Sequence, residues 1–273
     1  MALGQTLKQT RLEQHLSQRQ VATGICAQSM LSAIENERYV PNARLLLALC
    51  QRLGIAVSTL SLADNFDIST DNHFNQRIQQ LCNAHQYQAL KDFLLMDETL
   101  ASVETDEQTQ AYYYYLGVAE LNVDLSVDEA QRHMQLAVDL AMPQTAPSTL
   151  TRLALISLAL IKVKLRHLAS VATLVSQSLA DIETANYESN LNIIFYLAGL
   201  VAYRQGDSTV AFQRLTTGMA FVTAHDSHYM LANYYRLMAQ LAQDAGQSEA
   251  AADASQRQKM LTDLFHEQIN EQL

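Results

Sequence analysis

The sequence predicts an all-α protein: a small N-terminal domain of short helices, followed by about five helical hairpins stacked in series. Three observations carry this prediction. Helix breakers are scarce, with 8 Gly and 3 Pro in 273 residues, and nearly half the chain is hydrophobic, a composition that favours helix throughout. Residues 16–36, LSQRQVATGICAQSMLSAIEN, hold the caps and the turn of two short helices. Further on, small residues recur at steps of about 40, as Gly117 and Gly199 do at a separation of 82, and such a period marks stacked repeats.

In the first of these stretches, Ser17 is an N-cap whose hydroxyl can accept from the Gln20 amide, and Gln20 itself completes a capping box. Val21 and Ala22 supply apolar contact, and Gly24 can end the helix in the left-handed conformation. A second helix is predicted from about Ala27 to Asn36. Its inner side carries Leu31 and Ile34, and its outer side Gln28, Ser29, Ser32, Ala33 and Asn36. This is a helix-turn-helix whose second helix can lie in a DNA major groove. Gln28 suits bidentate pairing with adenine, Ser29 is a promiscuous partner, and Met30 and Ala33 can touch a thymine methyl. Gln18 and Ser32 complete the expected DNA-facing set, with Arg19 and Arg38 bonding phosphates to fix register. The second helix has no arginine, so strong guanine readout from it is not expected.

Residues 4–18 (GQTLKQTRLEQHLSQ) and 38–55 (RYVPNARLLLALCQRLGI) resemble the first and fourth helices of the lambda-repressor or Xre-type domain, a match over about the first sixty residues. The resemblance implies an ion pair between Glu35, in the IEN segment, and Arg11 of the first helix. It also implies a DNA-binding domain at 1–63.

Charge supports that division. Residues 1–62 hold six Lys and Arg against three acids, a balance of +3, while the whole chain is 18 − 28 = −10, leaving −13 for the rest. A mildly basic head on an acidic body suits DNA binding by the head alone. One head offers few phosphate contacts, so two joined in a homodimer are expected to bind a two-fold operator in double-stranded DNA. Residues 63–71 (ADNFDISTD) are polar and acidic and read as a linker, with the boundary near Asp64. A helix is expected from Asn72 to Asn83, burying Phe74, Ile78 and Leu81 or Cys82. No apolar run spans a bilayer and no signal-peptide layout is present, so a cytoplasmic protein without membrane partners is expected. Cys26, Cys50 and Cys82 are odd in number and read as reduced, buried thiols. His225 and His228 have no evident third ligand, no nucleotide or hydrolase fingerprint appears, and neither a catalytic site, a metal nor a cofactor is expected.

The remaining residues, 72–273, repeat. One small-residue series is Gly117, Gly199 and Ala239; a second is Ala89, Ala130, Val171 or Ala172, Ala211 and Ala251. In residues 196–215, YLAGLVAYRQGDSTVAFQRL, the positions of Gly199, Tyr203, Gly206 and Ala211 resemble the small, aromatic, turn and small positions of a tetratricopeptide (TPR) repeat. That implies a right-handed superhelix of TPR-like hairpins, here with helices longer than the usual repeat allows. The apolar residues of the last segment, from Leu261 to Leu273, are expected to cap the stack or pack on a second subunit.

An Xre-type head on about five degenerate TPR hairpins resembles the peptide-sensing regulators of Gram-positive bacteria, the Rgg, PrgX and PlcR group. The segments ICAQSMLSAIE (25–35) and RIQQLCNAHQYQAL (77–90) are similar to the turn and start of the recognition helix and to the linker helix entering the first repeat of its PlcR branch. The resemblance implies a quorum-sensing transcription regulator, dimeric through its body, that binds a short signalling peptide on the concave face. Anchoring the repeats on Gly117, Gly199 and Ala239 puts Tyr114, Asn122, Tyr196, Leu200, Arg204, Asn233, Arg236 and Gln240 on that face as candidate peptide contacts. The four tyrosines 112–115 point all round their helix, so at least two belong to the core. The alternative is a regulator whose repeats bind a protein partner or only dimerise.

Overall fold

A computed structural model describes residues 3–36, 38–39, 41–55, 66–123, 127–141, 146–265, 267 and 269. The expected boundary at residues 63–64 and the terminal Leu273 lie outside the described residues. Among the described residues every regular element is a helix.

The head consists of α1 (Leu3–Glu13), α2 (Gln18–Ala22), α3 (Gln28–Glu35) and α4 (Ala43–Leu53). Leu7, Val21, Leu31, Ile34, Leu46, Leu49 and Leu53 form its core. The local signals act as read. Ser17 and Gln20 make the reciprocal capping box, and Gly24 takes φ +77° in the turn before α3. Asn42 caps α4, and Gly54 ends it at φ +65°. Arg11 and Glu35 pair through two short hydrogen bonds, 2.6 and 2.8 Å, deep between α1 and α3.

Within the segment read as a linker, residues 66–71 are docked on the body. Ile68 is fully buried, and the Phe66 amide donates to the Tyr115 hydroxyl at 2.8 Å. The Ile68 and Ser69 amides donate to Asn75 Oδ1. The acidic average of the stretch concealed two apolar residues, the half-buried Phe66 and the fully buried Ile68, and full burial of a side chain such as Ile68 stabilises by roughly 1.5–3 kcal/mol.

The body begins with α5 (Asn72–Asn83) and α6 (Tyr87–Leu94), then a short α7 (Asp97–Ala101). Four longer hairpins follow: α8 (Asp106–Asn122) with α9 (Val127–Asp139), α10 (Thr149–Lys164) with α11 (Val171–Leu179), α12 (Leu191–Arg204) with α13 (Ser208–Ala224), and α14 (Leu231–Asp244) with α15 (Ser248–Phe265). The five hairpins match the expected repeat number, and the bounds of α5 are those expected. One continuous apolar core runs from α8 to α14, and a second joins residues 66–94 to α8.

Small residues set the spacing within hairpins. A Cβ on Gly199 would lie 2.8 Å from Leu215 Cδ2, and one on Gly117 would lie 3.0 Å from Met134 Cε. Gly218 is the most crowded, since a Cβ there would lie 2.5 Å from the Tyr234 hydroxyl and 2.6 Å from Phe195 Cβ. It sits between α12 and α14, where one repeat meets the next. The second small-residue series holds at Ala130, Val171 and Ala211, which are buried, but at the first repeat Leu90 is buried and Ala89 exposed. The excess length of the repeat is shared between longer helices and connections, such as residues 180–190 between α11 and α12. Tyr112 and Tyr115 are the core members of the tyrosine run.

Candidate DNA-reading surface and inner cluster of the body

The outer side of α3 presents Gln28, Ser29 and Met30 to solvent, with Ser32 and Ala33 half-buried beside them. Gln28 is already oriented. Its Nε2 donates to Gln18 Oε1 at 2.6 Å, Gln18 Nε2 donates to Glu35 Oε2 at 2.8 Å, and Glu35 holds Arg11. The relay leaves Gln28 Oε1 and one amide proton for an adenine edge, the donor and acceptor that bidentate pairing needs. Burial pushes the Glu35 carboxyl up, but the hydrogen bonds from Arg11 and Gln18 and the charges of Arg11 and Lys8 outweigh it and hold it below the usual range. Arg19 and Arg38 are exposed near the ends of α2 and α3, where phosphate-bonding cations belong. Sequence reasoning missed one device: Arg52 reaches from α4 to the C-terminal carbonyl of Gln20 on α2 at 3.0 Å, fixing the helix-turn-helix from behind.

The body has a second concentration of polar chemistry, on the inner ends of α12 and α14. Asn233 is buried and donates from Nδ2 to Glu267 Oε1 at 2.7 Å. Tyr196 is 1% exposed, and its hydroxyl lacks a hydrogen-bond partner among the described residues, as does Arg204 Nε. The charges acting on the Tyr196 hydroxyl are those of Arg236, Arg204 and Glu267, which gathers four of the expected peptide-contact positions (Tyr196, Arg204, Asn233 and Arg236) into one neighbourhood. Burial pushes the Glu267 carboxyl up to about 7, against the pull of the Asn233 side chain and the amides of Met230, Ala232 and Asn233.

The other four expected contacts lie differently. Leu200 is 1% exposed, packed in the core because α12 is covered by helices on both sides, and in this conformation it offers no ligand surface. Tyr114 is half-buried and meets Phe66 edge to face at 6.2 Å. Asn122 donates to the Val118 carbonyl of its own helix. Gln240 donates to Asp244 of its own helix at 2.7 Å, and the Tyr203 hydroxyl donates to the same carboxylate at 2.9 Å, tying α12 to α14. Arg152 is also structural, since it donates to the carbonyls of Ser178 and Ala180 at the end of α11, the place where a cation suits the helix dipole. Asn192, unnoticed in the sequence, is fully buried and holds Tyr229 and Ser227 before α14. His225 stacks on Tyr187 at 4.1 Å and His228 on Phe265 at 3.7 Å; both serve packing. Among the described residues no group of His, Cys, Asp and Glu is arranged to hold a metal, and no helix is long and apolar enough to cross a membrane.

The fold and the two sites define the class: a helix-turn-helix head, followed by a body of stacked helical hairpins with a polar inner cluster. Residues 7–60 match the helix-turn-helix family. No protein of curated function matches the chain. Solved structures give the fold of the whole. The chain is similar to Bacillus thuringiensis PlcR in complex with the peptide PapR7 and DNA, at 17% identity and a TM-score of 0.60, over 97% of this chain and 95% of PlcR. It is similar to the apo form of PlcR at 14% identity and a TM-score of 0.58, with the same coverage. ComR from Streptococcus suis follows at 11% identity and 0.51, over 98% and 92%. The expected architecture, a helix-turn-helix head followed by stacked helical hairpins, is the observed one.

Proposed function

We propose that this chain is a DNA-binding transcriptional regulator of the peptide-sensing kind, a homodimer that binds a two-fold operator and answers to a short signalling peptide in its helical body. Residues 1–63 read DNA, 64–71 join the domains, and 72–273 dimerise and sense. The observation that carries the first half is the relay from Arg11 through Glu35 and Gln18 to Gln28, which presents an adenine-reading amide on an exposed helix. Support for the second half is the cluster of Tyr196, Arg204, Asn233 and Arg236, which offers donors to a peptide backbone and carboxylate. PlcR, whose fold the chain shares, is solved with a peptide and DNA together. Such a ligand regulates only by binding one arrangement of the dimer better than another, and a tenfold change in operator affinity needs about 1.4 kcal/mol of difference. Selection of duplexes from a randomised pool is the test. Enrichment of a two-fold site, with half-sites one helical turn or a multiple apart, is expected. An unenriched pool would remove the DNA-binding reading, and a monomer mass with and without the selected duplex would remove the dimer.

A further inference from the structure

Beyond α15, Glu267 meets the inner cluster. Phe265, the last residue of α15, stacks on His228, and burial pushes that imidazole down to about 4, so it is neutral. Two residues on, the Glu267 carboxylate accepts from Asn233 Nδ2 at 2.7 Å, at the N-terminus of α14. Amides of Met230, Ala232 and Asn233 turn toward it, the arrangement by which a helix N-terminus holds an anion. In the same neighbourhood lies the Tyr196 hydroxyl, nine-tenths buried and more, without a partner among the described residues. A buried donor left unpaired costs free energy, and a ligand that brings an oxygen to it recovers that cost.

We propose that this pocket is a carboxylate-recognition subsite whose resident occupant is Glu267, displaced when a peptide inserts its own C-terminal carboxylate. The inference rests on the peptide-sensing reading and adds what fills the site before the peptide arrives. Two features make the tail a displaceable occupant. Its carboxyl is pushed up to about 7, so the pocket compensates the buried charge of a side chain incompletely. A peptide, unlike one glutamate, also carries backbone oxygens for the Tyr196 hydroxyl and Arg204. Against it stands the tether, which supplies the tail at an effective concentration in the millimolar range for a short link. The tail therefore sets a threshold that only a well-fitting peptide passes.

The test is affinity selection from a pool of synthetic heptapeptides, prepared once with free carboxylates and once amidated. Three proteins are compared: the full chain, Glu267→Gln, and a chain ending at Phe265, with helicity and thermal midpoint checked for each. Both variants are expected to retain free-carboxylate peptides at least tenfold better than the full chain, with little gain for amidated ones. If the variants retain no more than the full chain, the tail is not the occupant and the proposal is overturned while peptide sensing stands. Equal gains for both pools would overturn carboxylate recognition. If no protein retains any peptide, the peptide-sensing reading falls and the proposal with it.

Discussion

The head and the inner cluster of the body use buried polar groups in opposite ways. In the head, every member of the relay is matched: Arg11 has both carboxylate oxygens of Glu35 and the Leu16 carbonyl, Glu35 has Gln18 as well, and Gln18 orients Gln28. In the body, the Tyr196 hydroxyl and Arg204 Nε are buried without partners among the described residues, and a carboxyl beside them is held far above its ordinary range. A matched network is rigid and fit for reading a fixed surface such as a base edge. An unmatched one stores a cost that a ligand can relieve, and so gives the ligand something to act on. On the proposed function, the difference puts recognition in one region and response in the other.

The strongest way to break this contrast is Glu35→Ala. It leaves Arg11 buried without its counter-charge, a change that costs about 3–5 kcal/mol where a buried pair loses one partner. Urea unfolding followed on the head should show it, and loss under 1 kcal/mol would mean the relay is not a matched network. The pH dependence follows from the same pair. Because the folded carboxyl is held below the ordinary glutamate value of about 4.3, its contribution is complete above that pH and is lost as pH falls through the folded value. Head stability flat from pH 5 down to 2 would contradict this.

Gly218→Ala tests the body's packing, since the new methyl meets the Tyr234 ring and Phe195 at under 3 Å. Overpacking of that kind costs about 1–3 kcal/mol, to be read as a lower thermal midpoint. An unchanged midpoint would show that α12 and α14 are free to part. Gln28→Ala should leave stability unchanged and remove about 1–3 kcal/mol of base discrimination at one position of each half-site, measured by comparing matched and mismatched duplexes. Arg19→Ala should have the smallest effect, a uniform weakening on all duplexes with a shallower salt slope. A sequence-dependent loss at Arg19 would move it from phosphate to base contact.

What was legible in the sequence was what depends on local chemistry. Ser17 and Gln20, Gly24, Leu31 and Ile34 specify the helix-turn-helix by caps, turn and period, and each does so in the structure. Gly117 with Ala130, and Gly199 with Ala211, gave the repeat because small residues must recur wherever hairpin helices approach closely. What stayed hidden depends on contacts distant in sequence. Residues 66 and 68 are docked by hydrogen bonds to Tyr115 and Asn75, so an acidic composition said nothing of it. Leu200 and Gln240 lie at the right register for an inner face, but register does not tell whether the neighbouring helix covers a position or an aspartate claims it. Glu267 gave no signal at all, since a glutamate in a polar terminal stretch resembles any solvated acid; only its meeting with Asn233 makes it notable.

The measurement that bears most directly on the account is an equilibrium titration of the full chain against its selected duplex and a scrambled duplex of equal length, across a range of salt. The account predicts a specific site preferred by about 10³-fold or more at physiological salt, with the preference reduced by Gln28→Ala and the salt slope by Arg19→Ala. Equal affinity for both duplexes at every salt concentration would contradict it.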